Sequence, residues 1–240
     1  MRSVACSAAP GTWSAWTPNR QRGPAGVIVA IDGVVASGKS AIGRRVAEAL
    51  GLPFVDSGLF YRALTRLALD RGIAVDDEAA LTSLAESTAV EVHGEDVRAD
   101  GQELTGRLYD GDVGRAVSAV AAVPGVREAL VPQQRGLGEH GVVMAGRDIG
   151  TVIFPGADFK FFLTASLDER MRRRAAQYGR RGEAADEAAL LAEVAARDRL
   201  DSERKVAPLR PAADADVINT DGLGLDEVVD LLLRRIGAAS

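Results

Sequence analysis

The sequence predicts a three-layer α/β fold built on a five-stranded parallel sheet, and three observations carry that reading. Short, largely apolar runs recur at residues 27–31, 53–58, 142–148, 159–163 and 215–219. Amphipathic helical stretches separate them, and strands that alternate with helices form a parallel sheet covered on both faces. The first run, VIVAI, passes into a glycine-containing loop, IDGVVASGKS, before helical spacing begins. The 240 residues, 47% hydrophobic and 26% charged, suffice for one large domain with a sizeable core.

Taken in order, VIVAI reads as a buried strand. Beyond Lys39, the residues Ile42, Val46 and Leu50 recur every fourth position with Arg44, Arg45 and Glu48 opposite, which makes an amphipathic helix stopped by Gly51. PFVDSG is a second strand, and residues 59–70 form a second helix with Leu64, Leu67 and Ala68 inward. Residues 71–140 break the rhythm. They begin with helical spacing and continue as VEVHGEDVRADGQELTG, whose β-like runs flank Gly94 and Asp100-Gly101 as hairpin turns, then return to a helix near 123–136. This segment reads as a small insert. The last helix, 226–236, carries Asp226 and Glu227 at its start and Arg234 and Arg235 at its end, as its dipole prefers.

Residues 1–25 have neither helical nor strand periodicity and end in a Gly-Pro signal, so a flexible tail is expected. They lack the apolar core of a secretory leader. No apolar run approaches the ~18 residues of a spanning helix, so no membrane association is expected. Cys6, the single cysteine, has no partner for an internal disulfide, which fits a reducing, cytoplasmic setting. The net charge of −5 argues against a general nucleic-acid binder.

The run Gly33, Val34, Val35, Ala36, Ser37, Gly38, Lys39, Ser40 matches the phosphate-loop pattern GxxxxGKS, with a strand before it and a helix after it. Such a loop turns backbone N–H groups and a helix N-terminus toward one point. Lys39 would then neutralise the β and γ phosphates of a nucleoside triphosphate, and the Ser40 hydroxyl would hold Mg²⁺. The acceptor is a separate question. A GTPase needs an NKxD motif, and neither Asn19 nor Asn219 lies in one. A motor-type ATPase carries an acidic pair at a strand end, where this chain has Gly-Arg-Asp. A kinase of some small acceptor, such as a nucleoside monophosphate or shikimate, and a P-loop protein that uses ATP to regulate a partner both stay open on these residues.

Further motifs narrow the choice. IDG before the loop, Asp56-Ser-Gly58 followed by Tyr61-Arg62, GRDIGTVIFP at 146–155, and RDRLDSER at 197–204 with Val206-Ala-Pro208 together resemble bacterial cytidylate kinases, from about residue 27 to the C-terminus. The resemblance implies a nucleoside monophosphate kinase-like fold and phosphoryl transfer from MgATP to CMP or dCMP. It also implies a division into core (26–58, 141–170, 205–240), CMP-binding region (59–140) and lid (171–204), acting as a monomer. Its acceptor-phosphate contacts fall on Ser57, Arg62, Arg147 and Arg204, its cytosine contacts on Ser118, Arg127 and Asp148, and its sugar contacts on Arg197 and Asp201. Lys39, Arg62, Arg147 and Arg204 would be the catalytic set. The departure lies at Val34, Val35 and Ala36, where the family commonly has proline, a small residue and glycine; two β-branched residues tolerate positive φ poorly.

The chemistry suits these residue types. A CMP phosphate is close to dianionic at neutral pH, its second pKa being about 6. It therefore needs charge neutralisation and in-line placement rather than a protein base, and neither His93 nor His140 lies in a motif. Cytosine offers a donor amine and two acceptors; Asp148 suits the first and Arg127 the others. Uracil would leave buried polar groups unpaired. Each residue also has a plainer reading: Asp148 as a turn cap, Arg62 as a solvated helix residue, Arg197 with Asp201 as a helix-surface ion pair. The basic run Arg170, Arg172, Arg173, Arg174, Arg180 and Arg181 reads as a solvated face or as a lid whose arginines fold over triphosphate, with Arg173 and Arg174 contacting ATP.

Overall fold

A computed structural model describes residues 26–180, 187–204 and 206–238. The expected tail and Arg181 lie outside the described residues. Strand β1 (Ile28–Gly33) occupies the middle of the sheet, between β6 (Val142–Gly146) and β7 (Phe159–Thr164); β2 (Phe54–Asp56) and β8 (Asp216–Asn219) form the edges, and every pairing is parallel. The five strands are those read from the apolar runs.

Side-chain alternation sorts the helices into layers. From β1 and β6, Val29, Ile31, Val143 and Ala145 face α1 (Lys39–Leu50) and α8 (Leu225–Ala238), packing with Ile42, Val46 and Leu232. Ala30, Val142 and Met144 face the other way, onto α2 (Gly58–Asp70) and α5 (Pro124–Gly136). That second cluster continues into the rest of residues 59–140. It takes in α3 (Glu78–Ser87), α4 (Gly111–Ala122) and an antiparallel sheet of β3 (Val90–His93), β4 (Asp96–Ala99) and β5 (Gln102–Glu103), whose turns fall at Gly94 and Asp100-Gly101 as the hairpin signals predict.

Three elements were not read beforehand. Helix α4 carries two glycines and seven alanines or valines, and its buried Val113, Ala116, Val117 and Val120 keep an i, i+3, i+4, i+7 spacing that the sequence reading passed over. A 3-10 turn (Thr105–Arg107) precedes it, and a π-helical turn (Ile149–Ile153) follows β6. Residues 167–180 and 187–203, which take in most of the expected lid, form α6 (Leu167–Arg180) and α7 (Glu187–Glu203), joined by an ion pair of Arg170 with Asp198; α7 also packs on α4.

Candidate active site

The phosphate loop leaves the C-terminal end of β1 and enters α1 at Lys39, where ligands of parallel α/β sheets bind. Left-handed backbone occurs at Ala36 (φ 59°) and Gly38 (φ 91°). The strain expected of the valines therefore falls one residue later, and Val35 is buried in a conformation open to it. Lys39 curls back over the loop, donating to the Val34 carbonyl at 3.1 Å. Burial, then the neighbouring Arg147, pushes its ammonium well below the usual lysine range, while Asp56 and Asp201 pull the other way.

Ser40 is the second residue of α1 and donates its hydroxyl to Asp56 Oδ2 at 2.6 Å; the other Asp56 oxygen accepts from the Gly58 N–H at 2.9 Å. A hydroxyl and a carboxylate side by side at the phosphate loop are hard oxygen donors that fit Mg²⁺. Among the described residues no cluster of three or more His, Cys, Asp or Glu could cage a metal. That agrees with an ion held chiefly by substrate phosphates and water.

The residues assigned to the acceptor come from five elements. Ser57 holds the N-cap position of α2, without a capping bond from its hydroxyl, beside Gly146 at the end of β6. A Cβ on Gly146 would stand 2.4 Å from the Ser57 hydroxyl and 2.6 Å from Ile149, so only glycine permits this approach. Arg147 follows and donates from Nε to Asp201 Oδ2 of α7 at 2.7 Å. Asp148 pairs with Arg127 of α5, both side chains being about one-twentieth exposed or less. The Arg127 guanidinium also donates to the Ala121 carbonyl at 3.1 Å and stacks 5.1 Å from the Tyr61 ring centre. Arg204 reaches the same place from the end of α7, 3.8 Å from Asp148 and 3.9 Å from Asp201. Its NH2 group and the Nε of Arg127 are buried without a hydrogen-bond partner.

Charge converges there. Burial would raise the Asp201 carboxyl, yet Arg147, Arg204 and Arg197 hold it below the ordinary carboxylate range. Arg197 is pushed down to about 10, by burial first and then by Arg147, Arg62 and Arg174. An arginine lowered by burial and by neighbouring arginines sits in a positive field that an anion would relieve. Arg62 contributes to this field while donating to the Leu108 carbonyl at 3.0 Å and lying 4.7 Å from the Tyr109 ring centre. Ser118 is half-buried on α4, the helix that packs against α2 and α7.

The two lid arginines part company. Arg173 is anchored through Glu169 at 2.7 Å, the Thr220 hydroxyl and carbonyl at 2.9 and 2.8 Å, and the Ser37 carbonyl at 3.1 Å, so it braces the phosphate loop against the end of β8. Arg174 stacks on Tyr178 at 5.2 Å and adds its charge to the cluster around Arg197. Sequence reasoning overlooked Asp32, Thr220 and the place of Asp56 beside Ser40. Only the IDG triplet before the loop hinted at the first.

A phosphate loop on a parallel α/β sheet, facing a second cationic cluster fed by a pair of lid helices, defines the class: a P-loop kinase with two anionic substrates. A family model described as cytidylate kinase matches residues 29–238. The chain is 46% identical over 212 residues to a cytidylate kinase of Anoxybacillus flavithermus, covering 86% of this chain and 94% of that protein. Against a cytidylate kinase of Geobacillus kaustophilus it is 47% identical over 213 residues, covering 87% and 95%. A bifunctional pantoate ligase/cytidylate kinase of a Synechococcus strain is 47% identical over 226 residues, covering 91% of this chain but 41% of that longer protein. The chain belongs to the cytidylate kinase family.

Proposed function

We propose that the protein transfers the γ-phosphoryl group of MgATP to CMP or dCMP, yielding ADP and CDP or dCDP. The carrying observation is the gathering of Arg127, Arg147 and Arg204 on Asp148 and Asp201, with Arg197, lowered to about 10 first by burial and then by Arg147, Arg62 and Arg174, close to the buried Lys39. Two polyanions brought together would relieve that repulsion, and phosphoryl transfer depends on such neutralisation and alignment.

In this reading the loop amides of residues 33–40 and Lys39 hold the donor phosphates, with Arg174 closing from α6 and Arg173 keeping the loop in shape. Ser40, with Asp56 behind it, would hold Mg²⁺, which when bound neutralises charge on the β and γ phosphates. Ser57, Arg62, Arg147 and Arg204 take the acceptor phosphate, and Arg62 must leave the Leu108 carbonyl to do so. One acceptor oxygen forms a bond to the γ-phosphorus while the bond to the β-bridging oxygen breaks, and ADP carries that electron pair away. No proton need be removed, because the acceptor is already the dianion.

Asp148 accepts from the cytosine amine and Arg127 donates to its ring acceptors, so both exchange part of their mutual ion pair for the base. Ser118 adds a hydroxyl at the base, and Arg197 with Asp201 holds the sugar. A monomer is the proposed working unit. No helix of the described residues is long and apolar enough to cross a membrane, and the cytoplasm is the proposed setting.

The test is ADP formation from ATP alone and then with CMP, dCMP, UMP, AMP or shikimate. CMP and dCMP should stimulate it most, and excess EDTA should stop it. ADP release indifferent to every acceptor would overturn the kinase reading, and a stronger response to UMP than to CMP would overturn the base assignment.

A further inference from the structure

Asp32 is a buried carboxylate that the scheme above leaves unused. It stands on β1, next to the residue that opens the phosphate loop, and is 4% exposed. Its oxygens each accept a backbone N–H from the π-helical turn after β6: Oδ1 from Ile149 and Oδ2 from Gly150, both at 2.8 Å. These amides directly follow Arg147 and Asp148. The Asp148 carbonyl is engaged in the same turn, accepting from Val152 at 2.8 Å and Ile153 at 3.1 Å. With the amides on one side and the carbonyl on the other both held, little backbone freedom remains to redirect the Asp148 side chain.

The fit is close. A Cβ on Gly150 would lie 3.4 Å from Asp32 Oδ2 and 3.3 Å from the Lys160 side chain, so the turn packs directly against both side chains. Lys39 of α1 and Asp148 of the turn are the charges that face Asp32. The stem of Lys160, from β7, borders the same glycine, but its ammonium is committed to Asp214 at 2.7 and 2.9 Å and to the Pro155 carbonyl at 2.5 Å.

We infer that Asp32 is a positioning residue for the acceptor: by gripping the Ile149 and Gly150 amides it sets the direction in which Arg147 and Asp148 leave the sheet, relative to the phosphate loop. This rests on the cytidylate kinase reading of the site. Only an ionised carboxylate offers an acceptor to both amides. Asparagine offers one and turns an N–H₂ group toward the other, and a protonated carboxyl likewise turns one oxygen into a donor. Burial lifts the Asp32 carboxyl to about 6 in spite of both backbone N–H groups, so the chain keeps an anion here against its solvation preference.

The experiment compares the full wild-type chain with Asp32→Asn, varying ATP and CMP separately and repeating kcat/KM for CMP from about pH 5 to about pH 8. KM for CMP should rise about tenfold or more while KM for ATP changes less than about threefold. The ratio of wild-type to variant kcat/KM should fall toward one as pH drops through about 6, the titration of CMP itself cancelling in the ratio. Equal increases in both KM values, or a ratio flat with pH, would overturn the positioning role. Should Asp32→Asn not fold, Asp32→Glu keeps charge and both acceptors but moves them by one methylene. It should show the same split, and an unchanged KM for CMP would refute the inference. A wild-type chain that makes no ADP from ATP and CMP sinks the kinase reading, and the positioning role with it; failure of the split in an active wild type sinks the latter alone.

Discussion

The proposed donor and acceptor sites are built on opposite plans. The donor site is one stretch of eight residues, Gly33 to Ser40, whose binding groups are mostly backbone amides and whose shape follows from a strand, two left-handed residues and a helix start. The acceptor site is assembled from side chains on α2, α4, α5, the exit of β6 and α7, over positions 57 to 204, and is held by ion pairs among its own members. A backbone site tolerates variation in its side chains, as Val34 and Val35 illustrate. A side-chain site stands or falls with each charge, because removing one partner strands the other in a buried place.

The first way to sharpen this contrast is Lys39→Ala, which removes the one side-chain charge the donor loop cannot replace with backbone. Turnover should fall by about a thousandfold or more, while CMP affinity measured by calorimetry changes little; a kcat within tenfold of wild type would break the division. Next comes Asp148→Asn, which should lower kcat/KM for CMP by roughly ten- to a hundredfold and leave ATP affinity within about twofold. Loss of ATP binding in that variant would mean that the two sites are not separable.

A third prediction concerns Asp32, which touches both regions. Its folded pKa of about 6 lies above the ordinary 3.8, so the folded state holds the proton more tightly than the unfolded chain. The stabilisation is present in full below about pH 4 and is lost as pH rises through about 6. Relative to Asp32→Asn, the wild type should lose about 2 to 3 kcal/mol over that interval, read from denaturant midpoints. A difference that grows with pH would reverse the assignment. The smallest effect is expected at Arg45→Ala, on the far face of α1: its pair with Asp226 spans 3.2 Å between half-exposed and exposed side chains. Stability should change by less than about 0.5 kcal/mol, with no change in either KM.

How much was legible follows the same line. The five strands, the loop and the hairpin turns stood out because each is encoded within a few residues, by apolar runs or by Gly and Asp at turns. Helix α4 was missed although Val113, Ala116, Val117 and Val120 keep helical spacing, because two glycines and three β-branched valines are weak helix formers and drew attention away from that stripe. The residues proposed for the acceptor were suggested by the family's motifs rather than by a local rule, for a lone arginine on a helix looks like any solvated one. The anchoring of Arg173 could not have been foreseen. Its partners Ser37 and Thr220 lie far from it in the chain and meet only because β1, β7 and β8 are neighbours in the sheet.

The sequence by itself determined the layered α/β class, the donor loop and the family, because periodicity, glycine placement and short motifs are properties of contiguous residues. Only the tertiary structure decided which charges share one buried volume: Arg197 among other arginines, Asp148 against Arg127, Asp32 beneath the turn that carries Asp148. Electrostatic energy depends on separation and burial in three dimensions, and a linear order of residues specifies neither until the sheet has brought its strands together.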